Sequence, residues 1–308
     1  MHILICEFMD ETAVARLAAA HDVHYDPTLV DDAPRLHAAA AAADAIVVRN
    51  RTQVRAELLA ALGRCRVVGR LGVGLDNIDV PACEARGMQV IPATGANALS
   101  VAEYVLTAAL MLLRGAYTHT PAVAAGQWPR AALSSGREAA GKTIGLVGYG
   151  SIGQLTGRLA RALGLRVIAY DAQMHASHPA FAAPAGTRFV ELDALVRTAD
   201  VVSLHVPLVA ATRGLFDAAR LATMKPGAVL INTARGGIVD ELALAAALRS
   251  GALGGAAIDV FASEPLAAAT HFEGCPNLLL TPHVAGVSVE SNQRVSTLIA
   301  ERLLEALA

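Results

Sequence analysis

The chain has 308 residues, enough for two domains of ordinary size. Of these, 54% are apolar and 17% charged, which excludes a disordered chain and supplies a large core. A net charge of −2 argues against nucleic acid or an anionic membrane as a bulk partner.

The opening MHILICEFMD has no basic segment before its apolar run and soon meets acids, unlike a secretory signal. Cys6, Cys65, Cys83 and Cys275 lack metal-binding spacing. They predict no metal site and reduced, buried thiols in a cytoplasmic protein. Short runs rich in Val, Ile and Leu predict strands at 2–6, 22–25, 45–48, 66–69 and 88–91. Ala- and Leu-rich stretches such as DETAVARLAAA and RAELLAAL predict helices between them. A long helix follows at about 100–114, and its apolar run YVLTAALMLL is too short to span a bilayer. Residues 115–141, with two prolines and the only tryptophan, read as a protruding excursion.

A second series begins at Lys142, with strands in TIGLVG, RVIAYD, VVSLHVP, AVLINTA, GAAIDVF and NLLLTPH, and a last helix at about 287–307. The alternation predicts an α/β fold of two doubly wound parallel-sheet domains, the second inserted between the first and its C-terminal helix. The expected boundaries are 1–98 with 286–308 for the outer domain and 99–285 for the inserted one.

GYGSIG places Gly148, Gly150 and Gly153, with Ser151 and Ile152, between a strand and a helix. In that context the glycines permit a tight turn, a close approach of pyrophosphate and close helix–strand packing, and the helix N-terminus supplies N–H donors. The next strand ends in Asp171, whose carboxylate suits an adenosine ribose 2′-OH and repels a 2′-phosphate. The expected cofactor is NAD.

Ligands of open parallel sheets sit beyond the carboxyl ends of the strands. Arg235 follows AVLIN, Glu264 follows GAAIDVF, and His283 ends NLLLTPH. A cation, a carboxylate and an imidazole form a working set for carbonyl reduction. Arg235 holds a carboxylate and polarises the carbonyl, Glu264 orients the imidazole and favours its charged form, and His283 delivers the proton. Taken singly, each is better explained by a structural role; the three together, after a dinucleotide loop, point to function.

GYGSIG, NTARGGIVDE, AIDVFASEP and TPHVAG, in this order and spacing, resemble the D-isomer-specific 2-hydroxyacid dehydrogenases. The resemblance implies a Rossmann NAD-binding domain inserted into a flavodoxin-like substrate domain. It also implies reversible hydride transfer between NAD(H) and a small 2-hydroxy or 2-oxo acid. Arg235, Glu264 and His283 match the family's catalytic residues. Asp259 matches a residue near the nicotinamide carboxamide. His205, Val206 and Pro207 match the adenosine-side segment and Thr212 a cofactor-phosphate contact, while Thr233 and Ala234 fall among the cofactor contacts. Val209 stands where the family often has threonine. A homodimer built on the long helix and the excursion around Trp128 is also implied.

GRLGVGLDNID resembles the loop whose backbone receives the substrate carboxylate, at Val73 and Gly74. Arg49, Asn50 and Arg51 lie at another strand end. Two arginines there suggest a second substrate anion, sulfonate or phosphate; a solvated basic face or an ion pair explains them as well. EFMD, RNRTQV and TGANALSVAEYV resemble the sulfolactate dehydrogenase branch of the family. The rivals are 3-phosphoglycerate dehydrogenase and hydroxypyruvate or glyoxylate reductase. The chain ends at Ala308 without the regulatory domain that many phosphoglycerate dehydrogenases carry. An NAD-sensing corepressor-like binding module is a further alternative.

Overall fold

The structure, a computed structural model, describes residues 1–173, 186–268 and 270–308. It divides into two compact units: residues 1–97 with 287–308, and residues 98–286.

The first unit holds a five-stranded parallel sheet of β1 (His2–Ile5), β2 (Asp22–Tyr25), β3 (Ala45–Val48), β4 (Val67–Arg70) and β5 (Gln89–Pro92), in the order β2-β1-β3-β4-β5. That order is the flavodoxin-like one. β3 is buried at every position, as a strand covered on both faces must be, whereas β2 alternates at the sheet edge. The helix Val289–Leu307 lies against β4 so closely that a Cβ on Gly69 would come within 2.9 Å of Ile299 Cγ2.

The second unit holds β6 (Thr143–Val147), β7 (Arg166–Tyr170), β8 (Thr187–Phe189), β9 (Val201–Leu204), β10 (Val229–Asn232), β11 (Gly255–Ile258) and β12 (Leu278–Leu280). All pairings are parallel, in the order β12-β11-β10-β9-β6-β7-β8, a Rossmann arrangement with one added strand. The strand order reverses between β6 and β9, so Gly148 and His205, which follow them, meet at the switch point. The expected strands all start within a residue of their expected places, but β9, β11 and β12 end three residues before the runs VVSLHVP, GAAIDVF and NLLLTPH do. β8 has no counterpart in the sequence reading.

The long helix Ala98–Arg114 buries Val101, Val105, Ala109 and Leu112 in the core beside β6 and β10. Among the described residues no single helix is long and apolar enough to cross a membrane. Within 115–141 only short turns and the helix Thr120–Ala124 form, and Trp128 is 79% exposed.

Candidate active site

The glycine loop shows three different needs for glycine. Gly148 has φ +94°, and a Cβ there would lie 2.4 Å from the His205 carbonyl oxygen. A Cβ on Gly153 would strike the Gly148 carbonyl oxygen at 2.3 Å. Gly150 has ordinary φ and nothing within 4 Å of its would-be Cβ. No internal packing demands glycine at 150, and the open space beside it is what the close approach of a phosphate would need. The helix Ser151–Ala162 starts there without a side-chain cap, which leaves its first N–H groups directed at that space. Asp171 accepts from the Tyr149 N–H at 2.7 Å and the Gln173 N–H at 2.9 Å, so its carboxylate is fixed beside the loop with lone pairs to spare.

Around this loop, His205 makes a 3.1 Å hydrogen bond with Ser203, and burial pushes its imidazole down to about 4, so it is neutral near pH 7. Val206 packs beside Gly148. Thr212 receives the Val209 N–H, and its hydroxyl lies 2.6 Å from the Pro207 carbonyl oxygen. Its one proton is thereby committed within the loop. Thr233 keeps a buried hydroxyl oxygen with no hydrogen-bond partner among the described residues. Such a group is costly unless a ligand completes it. The glycine cradle, Asp171 and Thr233 fit a dinucleotide.

The candidate reacting corner lies at the ends of β10, β11 and β12. His283 Nδ1 is 2.8 Å from Glu264 Oε2, and Glu264 Oε1 accepts from the Phe261 N–H at 2.9 Å. The carboxylate is acceptor-only, so Nδ1 carries the proton toward it and Nε2 is the outward edge. His283 has φ +56°, rare for a residue with a side chain, and such outliers cluster at functional sites. Its backbone N–H donates to the Asp259 carbonyl at 2.8 Å. Asp259 is 1% exposed, and its carboxylate accepts from the Thr281 hydroxyl and from the N–H groups of Val284 and Ala285.

Arg235 is half-buried and donates to the Ala234 carbonyl at 2.6 Å. Its turn is shaped by Asn232, 2% exposed, which accepts from the Ala234 N–H and donates to the Arg235 carbonyl. A Cβ on Gly236 would overlap the Phe261 carbonyl oxygen at 1.8 Å, so the glycine after Arg235 lets this turn press against the chain leading to Glu264. Glu241 holds the same chain by accepting from the Ala262 N–H at 2.6 Å. The sequence reading missed Asn232 and Glu241. The only signal was a polar residue closing an apolar strand and an acid after the arginine turn.

In the first unit the arginines at the end of β3 part company. Glu7, 4% exposed, accepts the backbone N–H groups of Arg49, Arg51 and Thr52. Asn77 donates to the carbonyls of Arg49 and Thr52. Arg51 is exposed and its guanidinium is paired with Asp31, which raises its pKa. Arg49 is half-buried, donates to Asn292 at 2.8 Å and lies over the Phe8 ring at 5.9 Å; burial lowers its pKa. Asn50 is exposed, and Val73 and Gly74 lie half-buried in the turn after β4. Glu7 and Asn77 were absent from the sequence reading.

The sequence profile of the D-isomer-specific 2-hydroxyacid dehydrogenase NAD-binding domain matches residues 106–285, more than half of the chain. An (S)-sulfolactate dehydrogenase of Chromohalobacter salexigens is 54% identical over 99% of this chain and 98% of its own. A D-3-phosphoglycerate dehydrogenase of Mycobacterium leprae is 41% identical over 99% of this chain but 57% of its own length. Among solved structures, the TT0316 protein from Thermus thermophilus is similar with a TM-score of 0.90 at 31% identity, covering 100% of this chain and 97% of its own. The chain belongs to the D-isomer-specific 2-hydroxyacid dehydrogenases, NAD-dependent oxidoreductases that act on a CH–OH group.

Proposed function

We propose that the protein interconverts sulfopyruvate and sulfolactate, with His283 as proton donor and acceptor. The observation that carries the chemistry is the 2.8 Å His283–Glu264 pair on a left-handed backbone. NADH, when bound, would supply the hydride for the carbonyl carbon, and NAD would accept it in the reverse direction. His283 gives its Nε2 proton to the carbonyl oxygen, which becomes the hydroxyl. Glu264, on Nδ1, orients the ring and fixes which nitrogen faces outward. Arg235 binds the carboxylate and polarises the carbonyl.

Gly148, Gly150, Ser151, Ile152 and Gly153 hold the pyrophosphate, and Asp171 the adenosine ribose. His205, Val206, Pro207, Thr212, Thr233, Ala234 and Asp259 complete the cofactor contacts. Val73 and Gly74 offer backbone N–H groups to the substrate carboxylate, Asn50 a further polar contact, and Arg49 binds the second anion. The identity to a sulfolactate dehydrogenase over nearly the whole of both chains supports a sulfonate there. A C3 sulfonate changes the priority order at C2, so D-like geometry takes the S label.

The test is NADH oxidation with sulfopyruvate, phosphohydroxypyruvate, hydroxypyruvate, glyoxylate and pyruvate. The highest kcat/KM is expected with sulfopyruvate. A preference for phosphohydroxypyruvate or glyoxylate overturns the substrate, and no turnover with any acid favours a binding module.

The reading extends to a cytoplasmic homodimer. Trp128, Tyr117 and Val123 are exposed apolar groups of the 115–141 excursion, the kind of surface a second copy covers. The free thiols suit a reducing compartment, with burial raising Cys6 to about 12 and Cys65 to about 11. A monomer mass in sedimentation equilibrium removes the dimer.

A further inference from the structure

The left-handed backbone at His283 needs something to hold it, and the long helix supplies part of that. Asp259 is nearly sealed from solvent, at 1% exposure. Its Oδ1 accepts from the Val284 N–H at 2.8 Å and the Thr281 hydroxyl at 2.6 Å, and its Oδ2 accepts from the Ala285 N–H at 2.9 Å. Together with the His283 N–H on the Asp259 carbonyl, these bonds clamp the turn on both sides of the imidazole. Thr281 has one proton and spends it on the carboxylate, so its oxygen is left as an acceptor. Tyr104 fills that acceptor, with its phenol oxygen 2.6 Å away. The order of donation has one solution: Tyr104 O–H to Thr281, Thr281 O–H to Asp259. Burial raises the Tyr104 pKa, which keeps the phenol a donor throughout the neutral range.

We propose that Tyr104 is a positioning residue, which acts through Thr281 and Asp259 to hold the His283 turn in its reactive conformation. Tyr104 sits on the helix Ala98–Arg114, separated from Thr281 by 177 positions in sequence. The ring is half-buried beside the core of the second unit, so the helix gives the hydroxyl a rigid mount. A chain of aligned donors polarises each successive bond, and a buried chain fixes a turn better than water-exposed groups do. The role deepens the proposed function, since it rests on His283 being the proton donor.

Tyr104→Phe removes the hydroxyl and keeps the ring. It is expected to lower kcat about three- to tenfold, the usual worth of one hydrogen bond, with the KM for the 2-oxo acid and the affinity for NADH unchanged. In the Thr281→Val background the same change is expected to cost nothing further, and Thr281→Ser is expected to keep the wild-type response. An equal loss with and without the Thr281 hydroxyl overturns the relay, as does unchanged kcat in Tyr104→Phe. A second readout is independent of turnover: the backbone amide resonances of Val284 and Ala285 shift in Tyr104→Phe if the chain of bonds is continuous. If they stay in place, the proposal fails. Should His283→Ala retain normal turnover, the proton-donor assignment fails by itself while those two resonances still report the relay.

Discussion

The reacting corner of the second unit and the arginine corner of the first are built by opposite means. At the reacting corner the side chains engage one another: Glu264 takes the inner nitrogen of His283, and Asp259 clamps the turn that carries it. At the arginine corner a buried carboxylate holds the backbone and leaves the side chains to find different partners. Glu7 grips three N–H groups, Asp31 takes Arg51, and Arg49 is left half-buried against Phe8 and Asn292. One corner is a set of side chains locked to one another, which the proposed function uses for every 2-oxo acid. The other is a frame on which one cation is placed. The proposed function places the chemistry common to the family on the first scaffold and selectivity on the second.

The comparison breaks most visibly at His283. His283→Ala is expected to cut kcat by roughly 10²–10⁴-fold, the scale of losing a general acid–base, on every 2-oxo acid alike, with NADH binding retained. Loss confined to one substrate in steady-state assays contradicts a common reacting corner. Glu264→Gln keeps an acceptor for Nδ1 but removes the charge. Its expected loss is about ten- to hundredfold in kcat, the worth of a hydrogen bond to a charged group, again equal across substrates. Asp171→Ala acts on the cofactor alone. It should weaken NADH and narrow the NADH-over-NADPH preference by about tenfold, one hydrogen-bonded contact's worth, as read from kcat/KM for the two cofactors. A wild type that already prefers NADPH sinks that assignment.

The smallest effect concerns stability. His205 is held neutral by burial with its pKa pushed down to about 4, from an ordinary value of 6.5. Between these values the unfolded chain binds the proton and the folded chain does not. His205 therefore contributes a stability that is complete above the upper value and lost as pH falls toward the lower one. His205→Gln is expected to reduce the fall in melting temperature across that window relative to wild type. Parallel curves for the two proteins contradict the neutral imidazole.

What could be read in the sequence follows the same division. β3, β6 and β10 are apolar at nearly every position because both faces are covered, and such runs stand out. β8 is Thr-Arg-Phe at a sheet edge, with one buried residue of three, and carries no such pattern. Arg235, Glu264 and His283 stood out as candidates because each closes or follows an apolar strand. Their supports were not. Glu7 acts on backbone N–H groups more than forty residues away, and no residue type marks a backbone donor. Tyr104 reads as one more apolar position of an amphipathic helix until the fold brings Thr281 to it. The two arginines were indistinguishable in RNRTQV; only the fold shows Asp31 holding Arg51 and leaving Arg49 half-buried.

The central claim is that reaction and selection reside in separate corners. It is tested most directly by kcat/KM for sulfopyruvate and for glyoxylate, measured side by side in wild type and Arg49→Ala. Glyoxylate has no second anion to lose. A charge-assisted contact is worth about ten- to hundredfold, so the account predicts a loss of that size with sulfopyruvate and an unchanged value with glyoxylate. Equal losses on both substrates, or none on either, would contradict it.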